Sequence, residues 1–188
     1  FVEHIIKNTN WDVYIIDRLS YASKDFSRID TIKNIENRLK IYTWDLNNPL
    51  SEGMINILST TSIIVHMAAE THVDNSIMNP VFTIKNNIMS TVNILEFSRK
   101  LQSLKTFFYF STDEVYGPAL NDKMYKEDDR HNPTNPYSAS KSSAEQICVS
   151  YHNTYNIPLI RINVMNAFGE KQYIEKYIPK IIKALRDG

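Results

Sequence analysis

Residues 106–117 read TFFYFSTDEVYG, an apolar run that ends in two hydroxyl side chains and two adjacent carboxylates. Continuous apolar runs of this length are typical of buried strands in parallel sheets, so we predict a strand over 106–112. Open α/β sheets bind their ligands beyond the carboxyl ends of the strands. We therefore expect Thr112, Asp113 and Glu114 to lie at a functional site.

The rest of the chain alternates short apolar runs with helical patterns, which is typical of repeated βαβ units. Strands are predicted over 13–17, 40–44, 62–67, 106–112 and 159–163. Helices are predicted over 1–7, 30–36, 50–58, 80–101, 136–155 and 174–186. The stretch 117–135 contains prolines and many charges and is predicted to be a surface loop. The fold class is therefore α/β with a parallel sheet.

Length and composition favour one soluble domain. The chain has 188 residues, 43% of them hydrophobic, which suffices for a single core. Its 21 basic and 21 acidic residues balance, which disfavours a nucleic-acid partner. No apolar stretch reaches membrane-spanning length, and the single cysteine, Cys148, favours a reducing compartment. We therefore expect a cytoplasmic protein with no nucleic-acid or membrane partner.

A second group of reactive side chains follows the predicted loop. Tyr137 and Lys141 are four residues apart on a predicted helix, so their side chains share one face. An ammonium group close to a phenol favours the phenolate, so we expect Lys141 to lower the pKa of Tyr137. Asn135 and Pro136 are typical of a helix start. The alternative is a solvated pair of side chains with no chemical role.

Three segments carry a family resemblance: AAETHVD at 68–74, STDEVYG at 111–117 and PYSASK at 136–141. Together they resemble the extended short-chain dehydrogenase/reductases, and within these the nucleoside-diphosphate-glucose 4,6-dehydratases of the dTDP-glucose type. The resemblance implies a Rossmann-like doubly wound parallel sheet and a single NAD-binding domain over 1–188. It also implies that elements of a small substrate domain begin near 164–188, with most of that domain absent.

The start of the chain departs from this pattern. Dinucleotide-binding folds begin with a strand and a glycine-rich turn, because glycine lets the backbone approach the pyrophosphate. Here a predicted helix comes first, and the chain has 4 glycines. We interpret the sequence as a fragment that lacks the first strand and the glycine loop. A degenerate fold that never bound a dinucleotide is the alternative.

The resemblance also implies catalytic roles. Dehydration of a hexose across C5 and C6 requires oxidation at C4, then a base for the C5 proton and an acid for the leaving C6 hydroxyl. By resemblance Tyr137, supported by Lys141, is the base for the oxidation, and Thr112 binds the 4-hydroxyl. Asp113 is then the acid and Glu114 the base of the elimination. A charged loop entry without function is the alternative for this carboxylate pair.

The implied cofactor is NAD. The residues that match its contacts in the family are Asp17, Asp45, Leu46, Ala68, Ala69, Asn87, Tyr137 and Lys141. A carboxylate at the end of the second strand of the fold binds the ribose 2′-hydroxyl and repels the 2′-phosphate of NADP. Asp17 therefore favours NAD, and Arg18 beside it weakens this preference. Asp45 also fits a simple turn before Pro49.

The implied partners are a nucleotide-sugar substrate and a second copy of the chain. Glu70, His72, Asn166 and Lys176 match substrate contacts of the family. Asn75, Asn163, Glu170 and Lys171 depart from its commoner residues, which leaves the substrate's identity open. A homodimer is expected to form through the helices at 80–101 and 136–155, with an apolar stripe at Ile88, Val92 and Leu95 that also fits packing on the sheet.

Three functions remain open. The first is an NAD-dependent 4,6-dehydratase of a dTDP- or UDP-glucose type substrate. The second is a 4-epimerase or decarboxylase of the same branch, which needs Tyr137 and Lys141 but not both carboxylates. The third is a catalytically silent NAD-binding protein. No metal is expected, because the histidines and the cysteine show no zinc spacing, and His66 is interpreted as a core residue.

Overall fold

The computed structural model describes residues 1–23, 25–32, 37–120 and 123–188. Its strands are β1 (Val13–Asp17), β2 (Leu39–Thr43), β3 (Ile63–His66), β4 (Thr106–Thr112) and β5 (Leu159–Val164). Its α-helices are α1 (Val2–Asn8), α2 (Glu52–Ile57), α3 (Val73–Met78), α4 (Pro80–Ser98), α5 (Pro136–Tyr155) and α6 (Tyr177–Asp187). Two 3₁₀ turns span Ser27–Ile32 and Asp113–Tyr116. The α/β class is confirmed.

The chain divides into two compact units, Phe1–Asp45 with Asn166–Gly188, and Leu46–Met165. In the first unit β1 and β2 pair in parallel, with Val13 opposite Leu39 and Asp17 opposite Thr43. In the second unit β3, β4 and β5 form a parallel sheet with β4 in the centre. The expectation that 1–188 is one NAD-binding domain stays a prediction.

The core of the second unit lies between the central strand and two long helices. Phe107 and Tyr109 of β4 are buried, and α5 packs on both α4 and β4. The Tyr109 hydroxyl lies 3.5 Å from the carbonyl oxygen of Lys141 on α5. The odd-numbered side chains of β4 therefore face the helices, because side chains alternate along a strand.

Helix α4 buries polar side chains on its packed face, among them Asn86, Asn87 and Thr91. Leu95 is fully buried within its own chain, whereas Ile88 and Val92 are half-buried. Leu95 thus belongs to the core, and only Ile88 and Val92 of the predicted stripe keep exposed surface for a partner. The homodimer remains a proposal.

Strand β4 and helix α5 have the predicted bounds. Of the helix predicted at 30–36, residues 30–32 lie in the 3₁₀ turn Ser27–Ile32, and residues 33–36 lie outside the described residues. Helix α3 and the 3₁₀ turn at Asp113–Tyr116 were not predicted. Among the described residues, no helix is long and apolar enough to cross a membrane.

Candidate functional site

The carboxyl end of β4 turns directly into the segment that carries the two carboxylates. Thr112 is buried and caps the 3₁₀ turn Asp113–Tyr116: its Oγ1 accepts a hydrogen bond from the Glu114 backbone N–H at 3.3 Å. The same hydroxyl donates to Oδ1 of Asp113 at 3.2 Å. Both acidic side chains are half-buried. The contacts of Thr112 therefore fix the orientation of Asp113 and Glu114 at the end of the strand.

The amino end of α5 lies at the same place. Asn135 and Ser138 form a capping box, and Pro136 occupies the first turn of the helix. The side-chain amide of Asn135 donates to Oε2 of Glu114 at 3.4 Å. The backbone N–H of Tyr137 donates to Oγ of Ser76 on α3 at 3.1 Å. Tyr137 is thereby held by its own helix and by a neighbouring one.

Tyr137 is 8% exposed, and its phenol lies close enough to Thr112 for that hydroxyl to affect its pKa. Burial, followed by the charges of Glu114 and Asp113, raises its pKa to about 12. The predicted lowering of this pKa by Lys141 was wrong, because desolvation and two nearby carboxylates outweigh any effect of the ammonium group. The structure nevertheless brings Thr112, Asp113, Glu114 and Tyr137 together, as the sequence predicted.

Lys141 lies one turn further along α5 and is buried. Its Nζ donates to the carbonyl oxygen of Phe110 at 2.5 Å and lies 4.4 Å from the centre of the Tyr109 ring. Burial lowers its pKa to about 8. The ammonium group is therefore anchored to β4, next to Ser111, whose buried Oγ has no hydrogen-bond partner among the described residues.

The loop after β3 is fixed by Asn87 of α4. Its Oδ1 accepts from the Glu70 backbone N–H at 2.7 Å, and its Nδ2 donates to the Glu70 carbonyl at 3.0 Å and to Oγ of Ser140 at 2.9 Å. Asn87 thus links this loop to α5, and its predicted cofactor contact stays a prediction. Ala68 and Ala69 follow the end of β3, with Ala68 exposed.

His72 caps α3, where its Nδ1 accepts from the Asn75 backbone N–H at 3.3 Å. The backbone carbonyl of Leu46, a buried residue, accepts from Nδ2 of Asn93 at 2.8 Å. Neither contact tests the substrate role predicted for His72 and Glu70 or the cofactor role predicted for Leu46.

The remaining predicted residues belong to the first unit. Oδ1 of Asp17 accepts from the Leu19 backbone N–H at 2.7 Å and from Oγ of Ser23 at 3.2 Å, which fixes the turn after β1. Arg18 and Asp45 form an ion pair at 3.7 Å. Asn166 is exposed and Lys176 is half-buried at the start of α6. Their binding roles stay predictions.

His66 is a core residue, as predicted. It is 5% exposed, and its Nε2 lies 3.1 Å from Oγ1 of Thr91. Burial, with a smaller contribution from the Lys141 charge, lowers its pKa to about 3. The folded chain therefore holds His66 neutral at a pH where an unfolded chain protonates it.

Because the folded-state pKa of His66 is depressed, its contribution to stability is present above pH 6.5 and is lost as the pH falls towards 3. We expect this residue alone to steepen the fall in unfolding free energy by about 1.4 kcal/mol per pH unit in that window. Urea unfolding of wild type and His66→Gln between these pH values measures the difference in slope. Identical slopes would contradict the assignment.

Sequence reasoning missed several residues that build the site. Ser76 anchors Tyr137, and Asn132 fixes the 3₁₀ turn, since its backbone N–H donates to the carbonyl of Val115 at 2.8 Å. Gly117 has φ +79, and a Cβ there would lie 2.5 Å from the Asn132 carbonyl oxygen. The sequence signal for Gly117 was its place at the end of the STDEVYG segment, where the predicted loop begins. Ser76 had no local signal.

Comparisons with known proteins identify the family of the chain. A family model described as GDP-mannose 4,6 dehydratase matches residues 1–188. The chain belongs to this family. The predicted resemblance to nucleotide-sugar 4,6-dehydratases is therefore confirmed, and with it the parallel α/β fold class.

Individual relatives give the same result. The chain is 38% identical to the dTDP-D-glucose 4,6-dehydratase of Dictyostelium discoideum over 95% of its length and 43% of that protein. The structure is similar to crystalline DesIV, a dTDP-glucose 4,6-dehydratase from Streptomyces venezuelae with NAD bound, at a TM-score of 0.87 and 28% identity, over 100% of this chain and 56% of that one.

A third similarity is to a UDP-N-acetylglucosamine 4-epimerase from Methanobrevibacter ruminantium, at a TM-score of 0.83 and 27% identity, covering 100% of this chain and 58% of that one. The chain thus spans about half the length of the relatives it matches. Dehydratases and epimerases share this fold, so the site residues must decide between the two activities.

Proposed function

We propose that the complete protein dehydrates a nucleotide-activated hexose of the dTDP- or UDP-glucose type to its 4-keto-6-deoxy form, with NAD as cofactor. One observation carries the proposal: the buried Tyr137 phenol lies close enough to Glu114, Thr112 and Asp113 for all three to affect its pKa, and Asn135, which caps the helix of Tyr137, contacts Glu114. One site therefore holds a phenol for oxidation at C4 and two carboxylates for loss of water across C5 and C6.

The proposed roles follow from the chemistry of each group. Tyr137 removes the proton of the 4-hydroxyl, which Thr112 orients, as C4 is oxidised. The 4-ketone acidifies the C5 proton, which Glu114 removes, and Asp113 protonates the 6-hydroxyl so that it leaves as water. Return of the hydride to C6 and of a proton to C5 would then give the 4-keto-6-deoxy sugar. Two neighbouring carboxylates provide an acid and a base when their environments differ. Here Glu114 accepts from Asn135 and Asp113 accepts from Thr112.

The residues around the strand end fit a dinucleotide. Ser111 has an unsatisfied buried hydroxyl, and the ammonium of Lys141 reaches the strand next to it. Bound NAD would supply the hydride acceptor. Its oxidised nicotinamide ring is also positively charged, which favours ionisation of a neighbouring phenol whose pKa is raised in the chain alone. We propose that Tyr137 and Lys141 hold this part of the cofactor.

Incubation of the complete protein with NAD and either dTDP-glucose or UDP-glucose tests the proposal. We expect loss of one water and formation of a 4-keto product, detected by mass spectrometry and by absorbance in alkali. Inversion at C4 without loss of water would instead support the second candidate, a 4-epimerase, which the structural similarity to an epimerase favours. Binding of NAD without turnover would support a silent NAD-binding protein.

Asp17 is expected to make NAD bind more tightly than NADP by at least about tenfold, since like charges about 4 Å apart repel by roughly 1 to 4 kcal/mol. Calorimetric titration of both cofactors measures this. Asp17→Asn keeps an oxygen for the Leu19 and Ser23 hydrogen bonds but removes the charge. The difference between the dissociation constants of NAD and NADP should therefore become smaller. Tighter NADP binding by wild type would show that Arg18 dominates instead.

A further inference from the structure

A fully buried carboxylate lies under the candidate site, and the proposed chemistry does not use it. Glu145, two turns beyond Tyr137 on α5, is 0% exposed. Nη1 of Arg161 donates to its Oε1 at 2.8 Å, and Nδ2 of Asn163 donates to its Oε2 at 3.1 Å. Arg161 and Asn163 are two residues apart on β5, so they share one face of the sheet. Together they supply the partners that a buried carboxylate requires.

Asn163 connects this buried group to the end of the central strand. Its Nδ2 lies 3.5 Å from the backbone carbonyl oxygen of Thr112 as well as 3.1 Å from Glu145. Thr112 is the last residue of β4 and the cap of the 3₁₀ turn that carries Asp113 and Glu114. The orientation of the Thr112 peptide group therefore sets the direction in which both carboxylates leave the strand.

A second connection runs through the loop before α5. Nε2 of His131 lies 3.6 Å from Oε1 of Glu145, and its Nδ1 lies 2.8 Å from Oγ of Ser142. The next residue, Asn132, donates its backbone N–H to Val115 in the 3₁₀ turn. Glu145 thus fixes the Asp113–Tyr116 turn from two sides, through β5 and through this loop.

We propose that Glu145, Arg161 and Asn163 are positioning residues that hold the Asp113–Glu114 pair at its working distance from Tyr137. Asn163 is the member that transmits this effect, because its amide contacts both the buried carboxylate and the Thr112 carbonyl. None of the three touches the substrate in this assignment. The proposal rests on the function proposed above, since it assigns the cluster to the elimination step of that reaction.

The test is Asn163→Leu in the complete protein, which keeps the branched shape of the side chain and leaves the Arg161–Glu145 ion pair in place but removes both amide contacts. We expect oxidation at C4 to stay within about twofold of wild type, while C5 exchange with deuterated solvent and water loss fall at least about tenfold, because small misplacements of reacting groups are costly. KM for the sugar should stay unchanged. Should this variant fail to fold, Asn163→Ser tests the same contacts with a shorter side chain.

Asn153→Leu is the matched control, since Asn153 is an exposed asparagine near the end of α5. It should behave as wild type in every step. Equal loss of oxidation and elimination in the Asn163 variant would show a general structural role and overturn the proposal, as would no loss at all.

Failure of the proposed function can be recognised separately. If wild type dehydrates no nucleotide sugar, hydrogen exchange of the Glu114 amide, which donates to Thr112, still tests positioning. Faster exchange in Asn163→Leu than in Asn153→Leu supports the cluster's control of the turn. Equal exchange in both variants overturns it.

Discussion

Tyr137→Phe should abolish oxidation at C4, with turnover falling about 10² to 10⁴-fold, the usual contribution of a general acid or base. The substitution removes only the phenolic hydroxyl, which lies near Thr112 and the two carboxylates. The backbone bond to Ser76 and the capping box at Asn135 and Ser138 do not involve it, so the fold should persist. Transient NADH absorbance in a single turnover of dTDP- or UDP-glucose is the measurement.

C5 exchange in deuterated solvent should disappear in the same variant, because the C5 proton is acidic only after C4 has become a ketone. Tyr155→Phe is the matched control, since Tyr155 lies partly exposed at the other end of α5. If Tyr137→Phe oxidised C4 at the wild-type rate, Tyr137 would not be the base. The proposed function would then lose its main support, which is that the phenol and the two carboxylates share one site.

The double variant Asp113→Asn with Glu114→Gln should lose elimination but keep oxidation, unlike Tyr137→Phe. Oxidation at C4 should continue, because Tyr137 and Thr112 remain, whereas C5 exchange and water loss should fall by at least about 10²-fold. Amide groups keep the shape and the hydrogen-bonding oxygens that contact Thr112 and Asn135. Loss of two nearby negative charges should also ease ionisation of the Tyr137 phenol, whose pKa they help to raise.

Glu127→Gln with Asp128→Asn is the control for this pair, since these adjacent carboxylates are exposed in the loop. It should leave every step unchanged. If the Asp113 and Glu114 double variant still dehydrated its sugar at the wild-type rate, these residues would not be the acid and base. The site would then fit an epimerase better than a dehydratase.

The sequence was most informative where structure depends on near neighbours. Strand β4 matches its apolar run residue for residue, and α5 begins where Asn135 and Pro136 predict a cap and a first turn. Helix α3 was not predicted, because six residues are too few for a helical repeat of apolar residues to be recognised. It is held instead by the His72 cap and by the contact between Ser76 and Tyr137, 61 residues apart.

By itself the sequence determined the parallel α/β class, the family, and the convergence of Thr112, Asp113, Glu114 and Tyr137 at one strand end. These depend on local patterns and on the rule that ligands bind at the carboxyl ends of parallel strands.

Only the tertiary structure decided the ionisation of Tyr137, the anchoring of Lys141 on Phe110, and the burial of Glu145 against Arg161 and Asn163. Desolvation and charge pairing depend on which distant residues exclude water from a group. Spacing along the chain does not contain that information.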